Sequence, residues 1–506
     1  MKHSILKGTL LLTAAGILTR LLGFYYRICL ADALGAEYLG IYQLIFPIFG
    51  ICYSLFASGI QTAVSKFTAE ANVRKDSAFL SCLMKRALLI SVGAALFLSL
   101  GVRLFSAPLA EKVLMEPRAK NCLRILAVDF PFCAVTACIN GYYIGMKRTG
   151  VPAFTQLFEQ IVRIGSVLFL VSLPSFLTPE KRCMAAVFGL VAGEAASMLF
   201  NCISYLHQKP HAKVTFDPCS TVLISKQLLA LSIPLSLNRL IINLLHSTES
   251  VFVPSMLRLS GLSAADALSL FGILNGMALP FILFPSAIPN ALSTLLMPAV
   301  SETVEAGNST RLHSYIDAAF KYSLLIGLFS SALFWFFGTE IGYAVFHEAR
   351  AGEYLKILSP LCPLIYLSST LSGVLTGLGK PTLTFYNSVA GMVLRLLFVI
   401  FVIPRAGIYG YLIGLLISQL FVTLTDLIMV ARFSSYFPKL SDWLILPGCF
   451  AFLSAWLCNF AYQQIKKETQ TSSLLSLFCL CGTFCVSYTV FLFFTKTIRK
   501  KEFCLH

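Results

Sequence analysis

The sequence predicts an all-α integral membrane protein with about fourteen transmembrane helices, in two six-helix lobes followed by a C-terminal helix pair. Three features predict this fold: an apolar composition, apolar segments of membrane-spanning length, and an internal duplication. Of the 506 residues, 57% are hydrophobic and only 12% are charged, whereas roughly 25% are charged in an average soluble domain. A soluble chain of this size cannot bury so many apolar side chains. Lipid must therefore solvate much of it.

The apolar segments give the individual helices. A helix that crosses the hydrocarbon core of a bilayer needs about 20 apolar residues. Windows of that length predict spans at 5–30, 41–64, 86–106, 121–145, 153–173, 184–206, 227–253, 269–298, 316–337, 355–378, 382–403, 408–431, 442–464 and 474–495. The connections between them are too short for a soluble domain. The stretch 338–355 is compatible with either a half-span or an outer loop.

The distribution of charge predicts the orientation. Arg20 and Arg27 lie inside the first apolar segment, which the core of a cleaved signal peptide does not tolerate, so we expect this segment to be retained as a helix. With the N-terminus in the cytoplasm, the inner loops hold most of the lysine and arginine, as the positive-inside rule requires. Both termini are therefore predicted to be cytoplasmic. The net charge of +16 then reflects topology and attraction to anionic lipid, and nucleic-acid binding is not expected.

The cysteines and histidines do not indicate a metal site. The chain has 16 cysteines, mostly within apolar spans, and only 7 histidines. Cysteine in such a segment usually acts as a small hydrophobic residue. We therefore expect no metal and no cofactor.

A duplication relates spans one to six to spans seven to twelve. Five landmarks recur 232 residues later, namely Gly40, Pro131, Gly141, Gly145 and Arg163 as Gly272, Pro363, Gly373, Gly377 and Arg395. Because six is even, both halves enter the membrane with the same polarity, about a pseudo-two-fold axis along the membrane normal. The predicted organisation is an N-lobe over 1–206, a cytoplasmic linker over 207–225, a C-lobe over 226–437, and a helix pair with a basic tail over 438–506.

Polar stripes run along the first helix of each half. Arg20 and Arg27 are seven residues apart, about 20° around a helix, and share their face with Thr13. The seventh span carries a similar stripe of Ser232, Ser236, Arg239, Asn243, His246 and Ser250. A charge inside a membrane costs roughly 2.5–3.5 kcal/mol on insertion scales, so the arginines indicate a function. We interpret both stripes as walls of an aqueous cavity, although helix packing also explains the small residues.

Acidic residues inside spans have two interpretations. Glu159 precedes Arg163 by four residues, the spacing of an ion pair on one helix face, and this predicts a structural pair. Glu249 and Asp426 are candidates for binding a coupling cation or proton. A salt bridge between helices is an equally good interpretation of Glu249.

Short motifs carry a resemblance to a known family. They are Lys7-Gly-Thr-Leu, Arg20-Leu-Leu-Gly-Phe24, Gly40-Ile-Tyr and Leu157-Phe-Glu-Gln-Ile-Val-Arg163. In combination they resemble the polysaccharide-exporter branch of the multidrug/oligosaccharidyl-lipid/polysaccharide (MOP) flippase superfamily, which includes lipid II flippases. The resemblance implies two six-helix lobes that form a V, with the terminal helix pair beside a lateral portal.

The resemblance also implies a function. It implies a flippase, not an enzyme, that moves a polyprenyl-pyrophosphate-linked saccharide from the inner to the outer leaflet of a bacterial cytoplasmic membrane. Arginines of the first helix contact the pyrophosphate in the lipid II branch, and Arg20 and Arg27 occupy the positions where that role is expected, with Arg239 lining the opposite lobe. Alternating access by rocking of the lobes fits this plan. The main rival is a multidrug or cation antiporter of the same superfamily, which usually has an acid-lined cavity.

Partners and energy source follow as expectations. We expect coupling to the membrane potential, Na⁺ or H⁺. The expected partners are the lipid-linked saccharide, membrane lipids and cell-wall synthesis proteins, with the chain itself acting as a monomer.

Overall fold

The computed structural model describes residues 2–176, 178–208, 218–436, 441–469 and 474–494. All regular secondary structure within these ranges is helical, which confirms the predicted all-α fold. The chain divides into two compact units, Met1–Gly272 and Ile273–His506. Residues 209–217 of the predicted linker lie outside the described ranges, and the predicted lobe boundaries stay a prediction.

The helices of the first unit are α1 (Lys2–Leu44), α2 (Phe46–Tyr53), α3 (Gly59–Arg74), α4 (Ser77–Leu104), α5 (Ser106–Pro108), α6 (Ala119–Leu126), α7 (Asp129–Gly145), α8 (Gly150–Ser172), α9 (Pro179–Gln208), α10 (Pro218–Leu259) and α11 (Ala264–Gly272). Those of the second unit are α12 (Leu279–Leu283), α13 (Ala287–Glu305), α14 (Ser309–Phe346), α15 (Ala349–Ile357), α16 (Leu361–Gly377), α17 (Pro381–Phe401), α18 (Ile403–Ser434), α19 (Leu446–Thr469) and α20 (Leu474–Phe494). Short π-helical segments occupy Ser54–Ser58, Leu109–Val113, Ile273–Ala278 and Ser441–Ile445.

The helices are long and apolar enough to cross a membrane many times. Among the described residues, ten helices qualify by length and hydropathy, or twelve when two bent pairs each count as one span. One of the ten, Leu18–Arg74, runs through 57 residues of α1, α2 and α3. Its contour length is about 85 Å at 1.5 Å per residue, which is enough for two crossings. The chain is kinked within it at Gly35, whose φ of +70° is a backbone conformation that glycine adopts at little cost.

The stretch 338–355 belongs to two helices. Gly338 to Phe346 continue α14, and α15 then forms the first arm of a broken span that meets α16 at a 57° bend. Pro360 lies in the break, where proline cannot donate a backbone hydrogen bond and disfavours helix in the residue before it. The stretch therefore ends α14 and begins the bent pair α15 and α16, and it is helical and not an extended loop.

The duplication is present in the structure at the same offset. The bounds of α7, Asp129–Gly145, become those of α16, Leu361–Gly377, after 232 residues. Asp76 caps α4 by accepting from the backbone N–H of Phe79 at 2.9 Å, and Asn308 caps α14 by accepting from that of Arg311 at 3.0 Å. Residues with a left-handed backbone conformation also recur 232 residues apart. The pairs are Lys75 and Gly307, Met115 and His347, and Lys147 and Gly379.

Helix contacts repeat with the same offset. A Cβ added to Gly145 would lie 2.5 Å from the backbone oxygen of Ser65. In the second unit, a Cβ added to Gly377 would lie 2.7 Å from the backbone oxygen of Met297, the residue equivalent to Ser65. Small residues let membrane helices approach closely without a hydrophobic driving force between them. Equivalent helices in the two halves therefore pack through equivalent close contacts at glycine.

The pair Gly40 and Gly272 makes a reciprocal contact inside the first unit. A Cβ on Gly40 would overlap the backbone oxygen of Leu268, and a Cβ on Gly272 would overlap that of Ala36. Ala36 and Leu268 are themselves equivalent positions of the duplication. A two-fold axis produces such pairs of contacts, because it exchanges each residue with its equivalent in the other half. The predicted pseudo-symmetry therefore holds between this part of α1 and α11.

We expect Gly40→Ala to destabilise the protein, since the added methyl group overlaps backbone that cannot move without separating α1 from α11. Overpacking of this kind costs about 1–3 kcal/mol. The matched control is Gly165→Ala in α8, because a Cβ there meets nothing within 4 Å. The apparent Tm of the detergent-solubilised protein should fall for Gly40→Ala and stay unchanged or rise for the control. Equal Tm values for both variants would contradict the close contact.

Candidate functional site

A cavity of about 270 Å³ lies in the first unit, between α1, α2, α8 and α9. Its lining consists of Gly23, Tyr26, Arg27, Leu30, Leu39, Tyr42, Gln43, Phe46, Gln160, Arg163 and Leu190. The charged residues of this lining are Arg27 and Arg163, both cationic. The structure thus brings together an arginine from the predicted functional stripe and one that the sequence assigned to a structural ion pair.

Two glycines bring α9 close to the turn of α8 that carries Arg163. A Cβ on Gly193 would lie 2.9 Å from the backbone oxygen of Glu159 and 3.0 Å from the Cβ of Arg163. A Cβ on Gly189 would overlap the side chain of Val167. This small-xxx-small spacing, typical of tight membrane-helix contacts, positions Arg163 against the cavity.

Arg163 pairs with Glu159 on the same helix. The Nη2 atom of Arg163 donates to the Oε1 atom of Glu159, and each side chain is 17% exposed. The guanidinium Nε of Arg163 and the Oε1 atom of Gln160 are buried without a hydrogen-bond partner among the described residues. Since a guanidinium has five N–H donors, Arg163 has capacity left for a further acceptor.

Two more carboxylates surround this pair. Asp129 of α7 and Glu194 of α9 are buried and interact electrostatically with both Arg163 and Glu159. The Sγ atom of Cys133 donates to Oδ2 of Asp129 at 3.3 Å. Sequence reasoning did not assign a role to either acid. Their signal was a charge inside an apolar span, but their common location depends on the packing of α7, α8 and α9.

The other predicted arginines lie elsewhere. Arg20 and Arg239 are exposed, and neither lines this cavity. The side chain of Thr13 lies outside the described residues. The structure therefore joins Arg27, and not the whole predicted set, to the cavity.

Part of the polar stripe on α10 packs against α2, α3 and the π-helical segment between them. A Cβ on Gly59 would overlap the backbone oxygen of Ser232 and the hydroxyl of Ser236. The Nδ2 atom of Asn243 donates to the backbone oxygen of Gly50 at 3.0 Å and to Oγ of Ser54 at 2.6 Å. Ser232, Ser236 and Asn243 thus make the helix contacts that the packing interpretation describes. Farther along the stripe, His246 is exposed and Ser250 is half-buried.

The two candidate coupling acids have different surroundings. Glu249 is buried, with its Oε2 atom 3.7 Å from Nδ1 of His246. In the second unit, Asp426 is buried and accepts hydrogen bonds from Ser368 at 2.8 Å and Asn387 at 2.7 Å. No group of three or more His, Cys, Asp or Glu residues with metal-binding geometry occurs in the described ranges.

An ion-pair network that sequence reasoning missed connects three segments of the first unit. Glu116, whose side chain is 4% exposed, accepts from Nε of Arg118 at 2.6 Å and from Nη2 of Arg258 at 3.2 Å. Nη1 of Arg118 also donates to Glu37 at 2.7 Å. The hydrogen bond to Glu116, assisted by the one to Glu37, raises the pKa of Arg118 above its ordinary value despite partial burial. The network ties the end of α10 to the 114–118 loop and to α1.

The helical fold and the membrane-spanning helices define a multi-pass, all-α integral membrane protein. More narrowly, the chain belongs to the polysaccharide biosynthesis protein family, whose model matches residues 5–304. A second family model, MatE, matches residues 240–401.

Known proteins resemble the chain over nearly its whole length. Stage V sporulation protein B of Bacillus subtilis (strain 168) is 28% identical over 510 residues, covering 99% of this chain and 97% of that protein. A structure of the lipid II flippase MurJ in an inward closed conformation has a TM-score of 0.70 at 16% identity, over 97% of this chain and 100% of that one. An inward-facing multidrug resistance MATE family transporter has a TM-score of 0.63 at 15% identity, over 82% and 96%. The two structural matches show a shared fold.

Proposed function

We propose that the protein is a flippase for a polyprenyl-pyrophosphate-linked saccharide, either a lipid II-like peptidoglycan precursor or a related polysaccharide unit. It moves this substrate from the inner to the outer leaflet by alternating access. The observation that carries the proposal is arginine inside the membrane spans, with Arg27 lining a cavity that has no acidic residue in its lining. Guanidinium groups form bidentate, charge-assisted hydrogen bonds with phosphate oxygens.

The proposed pyrophosphate ligands are Arg20, Arg27 and Arg239. A pyrophosphate that crosses the membrane core needs such cationic partners, because an unpaired charge there is costly. The lipid tail stays in the bilayer during the passage, so the protein shields only the headgroup and the saccharide.

The proposed function includes a coupling ion and a location in the cell. Glu249 and Asp426 are proposed to bind the coupling Na⁺ or H⁺, with the membrane potential as the alternative source of energy. The protein lies in the bacterial cytoplasmic membrane with both termini cytoplasmic. It works as a monomer beside cell-wall synthesis proteins.

A multidrug or cation antiporter is the second candidate. The MatE match over 240–401 and the buried acids Asp129 and Glu194 near the cavity favour it, since carboxylates suit cationic drugs. Drug efflux by the wild-type protein without any effect on lipid II exposure would select this candidate.

The test of the flippase proposal is lipid II exposure on the outer leaflet of cells that are depleted of their own flippase and supplied with this gene. We expect the wild type to restore exposure and Arg20→Ala to fail at equal membrane levels, because the pyrophosphate then lacks one cationic ligand. If the wild type fails despite normal insertion, lipid II is not the substrate. If Arg20→Ala works as well as the wild type, Arg20 is not a pyrophosphate ligand.

A further inference from the structure

We propose that the cavity between α1, α2, α8 and α9 is a phosphate subsite in which Arg27 and Arg163 bind the pyrophosphate together, while Glu159 weakens that binding by competing for Arg163. This inference rests on the proposed function. It gives Arg163, assigned from sequence to a structural pair, a direct role in binding the substrate headgroup.

The size of the cavity suits a headgroup. At about 270 Å³, it lies just below the roughly 300–1,000 Å³ of pockets that enclose whole drug-sized ligands. It is therefore too small for a lipid-linked saccharide or a large drug. A pyrophosphate group fits such a volume, with the sugar and the polyprenyl chain outside it.

The lining has the chemistry of an anion site. Its two charged members are both arginines, and its other polar members are Tyr26, Tyr42, Gln43 and Gln160, whose hydroxyl and amide groups can donate hydrogen bonds. Glu159 does not line the cavity. It pairs with Arg163 from one turn away on α8, so an anion in the cavity and Glu159 compete for the same guanidinium.

Competition between Glu159 and the pyrophosphate for Arg163 helps a transporter to release its substrate. A site with two unopposed guanidinium groups would hold a pyrophosphate too tightly for release, and transport requires a ligand to leave as well as to enter. Glu159 takes one N–H of Arg163 directly. Glu159 therefore lowers the affinity for an anion without entering the cavity.

The second half of the duplication lacks an acid at the position equivalent to Glu159. The equivalents of Glu159 and Arg163 are Gly391 and Arg395. The second half therefore forms the corresponding helix, α17, with glycine in place of the acid. The helix does not require a carboxylate at this position, and Arg395 supplies a matched control.

The experiment measures binding of inorganic pyrophosphate to the purified full-length protein in nanodiscs by calorimetry. Glu159→Gln keeps the shape of the pair and removes the competing charge. We expect it to raise the affinity about two- to fivefold, the effect of a partly screened ion pair. The double variant Glu159→Gln/Arg163→Gln keeps a neutral hydrogen-bonded pair and should lose at least about tenfold relative to Glu159→Gln. Arg395→Ala should leave the affinity unchanged.

The outcomes separate the inference from the proposed function. If Glu159→Gln lowers the affinity or leaves it unchanged while the wild type still restores lipid II exposure, the pair is structural and the inference is overturned alone. If the double variant binds pyrophosphate as tightly as Glu159→Gln, Arg163 is not a ligand. If the wild type neither binds pyrophosphate nor restores lipid II exposure, the proposed function itself fails. A size-exclusion profile for each variant shows that it is folded, and Arg163→Lys, which retains the charge, replaces the double variant if that variant aggregates.

Discussion

Arg27→Ala is expected to lower the rate of lipid II exposure roughly 10- to 100-fold, because a hydrogen bond to a charged group contributes about 1.5–3 kcal/mol. Arg27 lines the cavity, so its removal takes away a direct contact with the pyrophosphate. The measurement is a leaflet-exposure assay in cells depleted of their own flippase, normalised to the amount of inserted protein.

The control for this loss is Arg103→Ala. Arg103 is an exposed arginine near the end of α4 that does not line the cavity, so its removal changes the net charge equally. We expect exposure in this variant to match the wild type. A loss of similar size in both variants would indicate a dependence on overall charge, and full activity of Arg27→Ala would remove Arg27 from the pyrophosphate site.

Glu116→Ala is expected to destabilise the protein by about 1–3 kcal/mol, the usual cost of leaving partly buried hydrogen-bonding groups without their acceptor. Glu116 accepts hydrogen bonds from both Arg118 and Arg258, so its loss leaves two guanidinium groups without their shared acceptor. The measurement is the apparent Tm of the detergent-solubilised protein. Glu116→Gln should also lower Tm, since a neutral amide cannot replace the charge.

The matched control is Glu111→Ala. Glu111 lies in the same connection and is exposed, and an exposed ion pair contributes at most about 1 kcal/mol. We therefore expect its Tm to stay near that of the wild type. If Glu116→Ala were as stable as this control, the network would not hold α10 to the 114–118 loop.

Several features of the site were predictable from local sequence patterns. The Glu159–Arg163 pair follows from spacing on one helix, and the structure contains this pair. A guanidinium inside an apolar span costs free energy on membrane insertion, and this predicts a cavity position for Arg27. The sharing of one cavity by Arg27 and Arg163 was not predictable, because the two residues lie on helices far apart in the chain.

Other features had a signal that sequence reasoning could not resolve. The small residues of the α10 stripe are compatible with helix packing and its arginine with a cavity wall. The structure packs Ser236 against α3 and Asn243 against the π-helical segment that precedes it. Glu116 sits in a polar connection, where an acid is ordinarily solvated. Only the approach of Arg258 from the end of α10 makes it a buried partner.

The sequence by itself determined the class of fold and its duplication. Backbone groups in lipid must be satisfied within each segment, so long apolar runs have to form helices, and equivalent glycines recur because both halves need the same close contacts. The tertiary structure decided which polar side chains meet. Arg27, Arg163, Asp129 and Glu194 come from four helices, and no local pattern records the angles at which those helices pack.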